Sequence, residues 1–201
     1  LKRFVYLISP NKFYKNFFND LNKVLAAKKV KFFQLRFKNM SDYKIVKISK
    51  KVRIITKKYN VKFIINDNPA IANKVHADGC HIGQLDSSIS LARKFLKDKA
   101  IGVTCHNSKR LARLAIKEGV EYVAFGSFFK SKLKPIAIKA DLKVLHWAKR
   151  NIKKPIVVIG GINDKNYIKL VKAGANYIAI SSFIWDNPFL KPEQAIKKFI
   201  I

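Results

Sequence analysis

A chain of 201 residues, 49% hydrophobic and without a low-complexity tract or linker, is long enough for one sizeable core, so a single domain over residues 1–201 is expected. No apolar run approaches the roughly 18 residues of a membrane span, and Phe4–Ile8 is too short for a signal peptide, so a cytoplasmic protein without membrane contact is expected. The formal net charge of +30 rests on 35 Lys against 7 Arg, scattered as short pairs among abundant Ile, Asn and Phe; A- and T-rich codons account for that excess, and small anionic ligands are expected rather than nucleic acid.

Along the chain, apolar runs of strand length alternate with helix-period segments. The first residue is Leu rather than Met, as expected of a trimmed or unusually started chain. Phe4–Ser9 is the first strand candidate and Val30–Arg36 the second. Ser41-Asp42 then opens a helical pattern carried by Ile45, Ile48, Val52 and Ile55. Val61–Asn66 and Gly79–Ile82 are the third and fourth strands, the fourth being the shortest, and Ala100–Thr104 is the fifth. Asn107-Ser108 begins the next helix, with Leu111, Leu114 and Ala115 on one face and Gly119 as its stop. Tyr122–Gly126, Pro155–Gly160 and Tyr177–Ser181 complete the strands, and Asn163 precedes a helix through Tyr167, Ile168 and Val171 that ends at Gly174. Cys80 and Cys105 offer neither a disulfide framework nor metal spacing, which fits a reducing compartment.

Strict strand–helix alternation in eight units of about 25 residues argues for a parallel sheet covered by helices. The expected fold is α/β, a single-domain (β/α)8 TIM barrel, with a doubly wound open sheet as the competing architecture. Either way the polar residues gather at the C-terminal ends of strands: "QLRFK", "IND", "GQLD", "GVTCH", "FGSFFKSKLK", "IGGI" and "AISS". In a barrel those ends share one mouth, where such enzymes build their sites.

Asp67 and Asp86 follow adjacent strands, on a floor otherwise lined by Arg36, Lys38 and Lys134. Paired carboxylates among cations suit a hard ion such as Mg²⁺, which takes one or two carboxylates and completes its shell with water and phosphate. The competing reading makes each aspartate a helix cap. Gly160-Gly161 after the seventh strand and Ser181-Ser182 after the eighth stand where barrels often bind phosphate, although a tight turn and a hydroxyl cap would use the same residues. His76 and His146 lie in helical patterns, and His81 lies inside a strand as a core histidine with its hydrogen bonds met. His106, at the mouth, is the histidine placed for proton chemistry. No zinc spacing, nucleophile elbow or Gly-x-Gly-x-x-Gly run is present.

Gln34-x-Arg36-x-Lys38, Asn66-Asp67, "DGCHIGQLD" and "PIVVIGGI", in this order, resemble the thiamine phosphate synthases and their thiazole tautomerase-type relatives. The likeness runs over nearly the whole chain, from "VYLIS" to "AISSFI". It implies a transferase that joins a hydroxymethylpyrimidine diphosphate to a thiazole phosphate, releasing pyrophosphate. Asp67 and Asp86 would then hold Mg²⁺ on the diphosphate, and Arg36, Lys38, Asn66 and Lys134 would bind its oxygens. Gln34 would contact the pyrimidine, and Thr104 stands where the family usually has a serine near the leaving group. Thr104, Lys134 and Arg36 are the implied catalytic groups; Ser131, Gly161, Ser181 and Ser182 would hold the thiazole phosphate. The family's Pro-Thr-x-Thr-Lys loop reads "KSKLK" here, with Leu133 in place of a threonine, and the opening "LISP" departs from the commoner Thr-Asp ending. Two alternatives remain open: an isomerase using His106 as base without metal, and a basic barrel that binds phospholigands or nucleic acid without catalysis. A homo-oligomer is compatible with the chain.

Overall fold

The computed structural model describes residues 4–130 and 139–200. Eight parallel strands close into a barrel in sequence order: β1 (Val5–Ile8), β2 (Val30–Leu35), β3 (Lys62–Asn66), β4 (Gly79–Ile82), β5 (Ala100–His106), β6 (Tyr122–Gly126), β7 (Ile156–Ile159) and β8 (Tyr177–Ile180). The seam between β1 and β8 pairs Leu7 with Ile180, so the open-sheet alternative does not hold. β4 and β6 span the residues expected of them; the other limits move by one or two residues, as strand ends commonly do.

Strand period two sorts the side chains into two cores. Outward positions such as Val5, Leu7, Phe33, Leu35, Phe63, Ile65, Cys80 and Ile82 pack under the helices. Inward positions form a separate cluster of Tyr6, Ile8, Tyr122, Ala124, Val157 and Ala179, with Phe32, Ile159 and Tyr177 against it. Interdigitated aromatics therefore plug the barrel.

The covering helices are α1 (Phe17–Ala26), α2 (Asp42–Lys58), α3 (Pro69–Lys74), α4 (Ile89–Leu96), α5 (Lys109–Lys117), α6 (Leu142–Asn151), α7 (Tyr167–Lys172), α8 (Ser182–Trp185) and α9 (Pro192–Ala195), followed by a 3₁₀ turn, Ile196–Lys198. α9 and the turn exceed the expected eight helices; they fasten the C-terminus by burying Phe199 against Tyr167 and Phe183. Ser108 caps α5 by accepting from the Leu111 amide, while α7 is preceded by Asn166 rather than Asn163. No helix among the described residues is long and apolar enough to cross a membrane.

At the N-terminal face, side chains on loops hold the strand starts. Asp78 accepts from the Phe63 amide, Glu121 from the Ile101 amide and Asn176 from the Ile156 amide. This end reads as stability, the opposite end as chemistry.

Candidate active site

The C-terminal face is organised by Ser9, which is almost fully buried at the end of β1. Its hydroxyl accepts from the Arg36 amide and donates to the Arg36 carbonyl, while its own amide donates to Gln34. Its carbonyl accepts from the Ser181 hydroxyl at 2.9 Å. One small side chain thus ties together the exits of β1, β2 and β8. Arg36 is directed towards the mouth, where burial lowers its pKa while the charges of Asp67 and Asp86 act to raise it.

Asp67 follows β3 with a left-handed backbone, φ 62°, a conformation Asp tolerates better than most residues. Its amide donates to the His81 carbonyl on β4 at 2.8 Å, which places the carboxyl beside β4's exit. There the Asp86 carboxyl accepts from the Gly83 amide at 2.7 Å, closing the Gly83–Asp86 turn. The two carboxyls hydrogen-bond, and burial followed by that bond and the Asp86 charge pushes Asp67 up to about 6; Lys38 and Arg36 pull the other way. Lys38 approaches Asp67 at 3.8 Å. Neither aspartate is a helix cap: Asn68 caps α3 through the Ile71 amide, and Ser88 caps α4 through the Leu91 amide. That competing reading is overturned, because the residue able to reach the first-turn amides lies one or two positions further along.

A carboxyl pair set against two cations is a set of hard oxygen donors. Among the described residues no group of three His, Cys, Asp or Glu could hold a metal by itself. The pair accordingly suits an ion that draws its remaining ligands from water or phosphate. Gln34 is buried near the end of β2, and Asn66 is the last residue of the neighbouring β3.

Thr104 faces inward from β5 and is held twice. His81 Nε2 lies 2.8 Å from its hydroxyl, and the Gln84 side-chain Nε2 donates to its carbonyl at 2.6 Å. His81 is the satisfied interior histidine that its strand position implied. Its contact with Thr104, like the crossing by Gln84, joins residues far apart in sequence and has no local signature. His106 follows at φ 51°.

On the other side of the mouth, Gly160 and Gly161 adopt φ 107° and 59°. A Cβ on Gly161 would lie 2.3 Å from the Lys130 carbonyl oxygen, so glycine is required for the β6 and β7 exits to meet. The Ser181 hydroxyl is committed to Ser9, so it is not a free donor; the Ser182 and Phe183 amides, at the start of α8, find no acceptor among the described residues. Ser131 and Lys134 lie outside the described residues. A cavity of about 660 Å³ adjoins the mouth, with Lys44, Lys47 and Lys51 of α2 around Phe13 and Phe37, and Lys38 stands on its border.

A closed parallel barrel with carboxylates, cations and close-approach glycines at its C-terminal face places the chain in the TIM-barrel class, whose enzymes build their sites at that face. The family model described as thiamine monophosphate synthase matches residues 5–184, and the chain belongs to that family. It is 51% identical to the thiamine-phosphate synthase of Pelagibacter ubique (strain HTCC1062) over 198 residues, 98% of this chain and 96% of that protein. It is 37% identical to that of Rhodospirillum centenum (strain ATCC 51521 / SW) over 97% of this chain and 95% of the relative. The structure superposes on thiamine phosphate pyrophosphorylase from Pyrococcus furiosus with a TM-score of 0.87 and 27% identity, covering 98% and 93% of the two chains. A 3-hexulose-6-phosphate synthase shares the fold alone, at TM-score 0.66 and 18% identity over 96% and 97% of the chains. The chain is therefore a transferase-type enzyme of this family.

Proposed function

We propose that this enzyme couples a hydroxymethylpyrimidine diphosphate to a thiazole phosphate, giving thiamine phosphate and pyrophosphate, with Mg²⁺ and by dissociative substitution. The observation that carries the reading is the Asp67–Asp86 carboxyl pair, set against Arg36 and Lys38 in one mouth. Cleavage of the bond between the pyrimidine methylene and its diphosphate oxygen sends the electron pair to the diphosphate. The thiazole nitrogen then supplies the pair for the new carbon–nitrogen bond. Negative charge grows on the leaving oxygens, and Arg36 and Lys38 meet it with fixed positive charge, the kind of stabilisation worth several kcal/mol. Magnesium held by Asp67 and Asp86 would add positive charge on the same oxygens. Asn66 and Lys134 bind the diphosphate alongside them, Thr104 donates near the leaving group, and Gln34 orients the pyrimidine from its buried position. The Gly161 and Ser182 amides hold the thiazole phosphate, with Ser131; Ser181 contributes by fixing the loop through Ser9.

The test is pyrophosphate release from the two substrates with and without Mg²⁺, on wild type and on Asp67→Asn and Asp86→Asn. Asn at 86 keeps an oxygen for the Gly83 turn while removing the charge. A fall of about a hundredfold or more in Mg²⁺-dependent turnover is expected from each. Turnover and metal response unchanged in both would refute the metal assignment, and no release by wild type would refute the synthase reading.

A further inference from the structure

A line of hydrogen bonds runs from the sealed aromatic plug to the mouth. Tyr6 Oη lies 2.8 Å from Tyr122 Oη, Tyr122 Oη lies 3.1 Å from His81 Nδ1, and His81 Nε2 lies 2.8 Å from Thr104 Oγ1. The Tyr122 ring stacks on the imidazole, centroids 5.6 Å apart. Gly102 makes room for it: a Cβ there would fall 1.8 Å from Tyr122 Cζ. Both phenols are buried, and burial raises their pKa values, so both keep their protons.

Each hydroxyl has one proton to place, and a neutral imidazole lets the line run in only two directions; an imidazolium would also donate from Nδ1 to Tyr122 and so shares the outcome of the first. If Thr104 donates to His81, then Nδ1–H donates to Tyr122 and Tyr122 to Tyr6. The Tyr6 proton then ends in the plug, where no acceptor for it exists among the described residues. A buried donor left unmet pays its full desolvation cost, which disfavours this direction. In the reverse direction Tyr6 donates to Tyr122, Tyr122 to Nδ1, and Nε2–H to Thr104. Every buried proton is then used, and the proton left over is that of the Thr104 hydroxyl, at the mouth.

We propose that Tyr122 and His81 are positioning residues that lock His81 as the neutral Nε2–H tautomer and turn the Thr104 hydroxyl into an outward donor for the leaving group. No proton is transferred along the line. The dead end in the plug sets its direction, and the Gln84 side chain on the Thr104 carbonyl holds the backbone from which that hydroxyl projects. The inference rests on the synthase reading only for what Thr104 meets; the tautomer does not depend on it.

The ¹⁵N spectrum of imidazole-labelled wild type, without substrate, tests the tautomer directly: protonated Nε2 and bare Nδ1 are expected at His81. Protonated Nδ1, alone or with Nε2, overturns the proposal whatever the enzyme's activity. Tyr122→Phe should mix the tautomers and lower kcat about tenfold with KM nearly unchanged, whereas Tyr6→Phe, which only moves the dead end to the Tyr122 hydroxyl, should leave both tautomer and rate close to wild type. Thr104→Val should remove the donor, and Tyr122→Phe added to it should cost nothing further; additive losses would overturn action through Thr104. Should wild type release no pyrophosphate while His81 still shows the Nε2–H tautomer, the synthase reading falls and the direction of the line stands.

Discussion

Asp67 holds its proton more tightly in the folded protein than an ordinary carboxyl, about 6 against 3.8, chiefly because burial disfavours its charge and Asp86 adds to it. A raised carboxyl pKa means that stability is lost as pH rises from about 4 through 6, where the unfolded chain gives up its proton and the folded one resists. Above that window the apoprotein carries the full cost. Asp67→Asn should therefore melt higher than wild type at pH 7.5 without divalent metal, and equally at pH 4. Two units at about 1.4 kcal/mol each, discounted because the pair meets water, leave on the order of 1–2 kcal/mol. Adding Mg²⁺ should raise the wild-type melting temperature and not the variant's; a variant destabilised at both pH values would refute the account. His106 presents a different question. Its φ of 51° lies in the region Asn also tolerates, so His106→Asn changes the imidazole with little backbone penalty. Coupling activity should stay within a few-fold of wild type. A loss of about a thousandfold, near 4 kcal/mol, with both substrates still bound would favour an isomerase-type base at this position.

At the scale of elements, the N-terminal face can be separated from the chemistry. Arg93 on α4 reaches the Lys97, Lys99 and Gly119 carbonyls and both Glu121 oxygens, joining the starts of β5 and β6. The Arg93–Glu121 pair itself is about one-third exposed and adds modestly, whereas the carbonyl bonds fix two loops. Arg93→Ala should cost about 2 kcal/mol and lower the melting temperature by about 4–8 °C for a chain this long, with kcat unchanged. A large loss of kcat in the folded variant would show that the two ends of the barrel communicate. The strands themselves were legible because parallel strands bury both faces and read as continuous apolar runs, as "YVAFG" does. Asp67 and Asp86 were legible as a pair because neighbouring parallel strands deliver their exits side by side. Ser9, Gln84 and Tyr122 carry no local sign of a site-building role, because each works across the barrel on a partner that only closure brings near. The helix-cap alternative failed for a similar reason: an aspartate at a helix start gives the same local pattern whether it faces amides or a second carboxyl.

For the whole molecule, 42 basic residues against 12 acidic ones exert two opposing effects. Like charges over one compact surface repel, which destabilises the fold, while the same field draws anionic substrates towards the mouth. Both effects are screened as the Debye length shrinks from about 10 Å at 0.1 M salt to about 3 Å at 1 M. They should therefore respond to sodium chloride with opposite consequences. Between 0.05 and 0.5 M the melting temperature should rise by several degrees, because self-repulsion relaxes, while KM for both phosphate-bearing substrates should rise, because steering is lost. Turnover at saturation should hardly move, since Arg36 and the carboxyl pair act at contact distance in a partly buried mouth where salt screens little. Melting and kinetics measured on one salt series test all of these consequences. A melting temperature that falls with salt would mean that the ion pairs, such as Lys62–Asp78 and Arg93–Glu121, outweigh the repulsion. A KM that stays flat would mean that the substrates are captured by local contacts alone and that the lysine excess plays no part in binding.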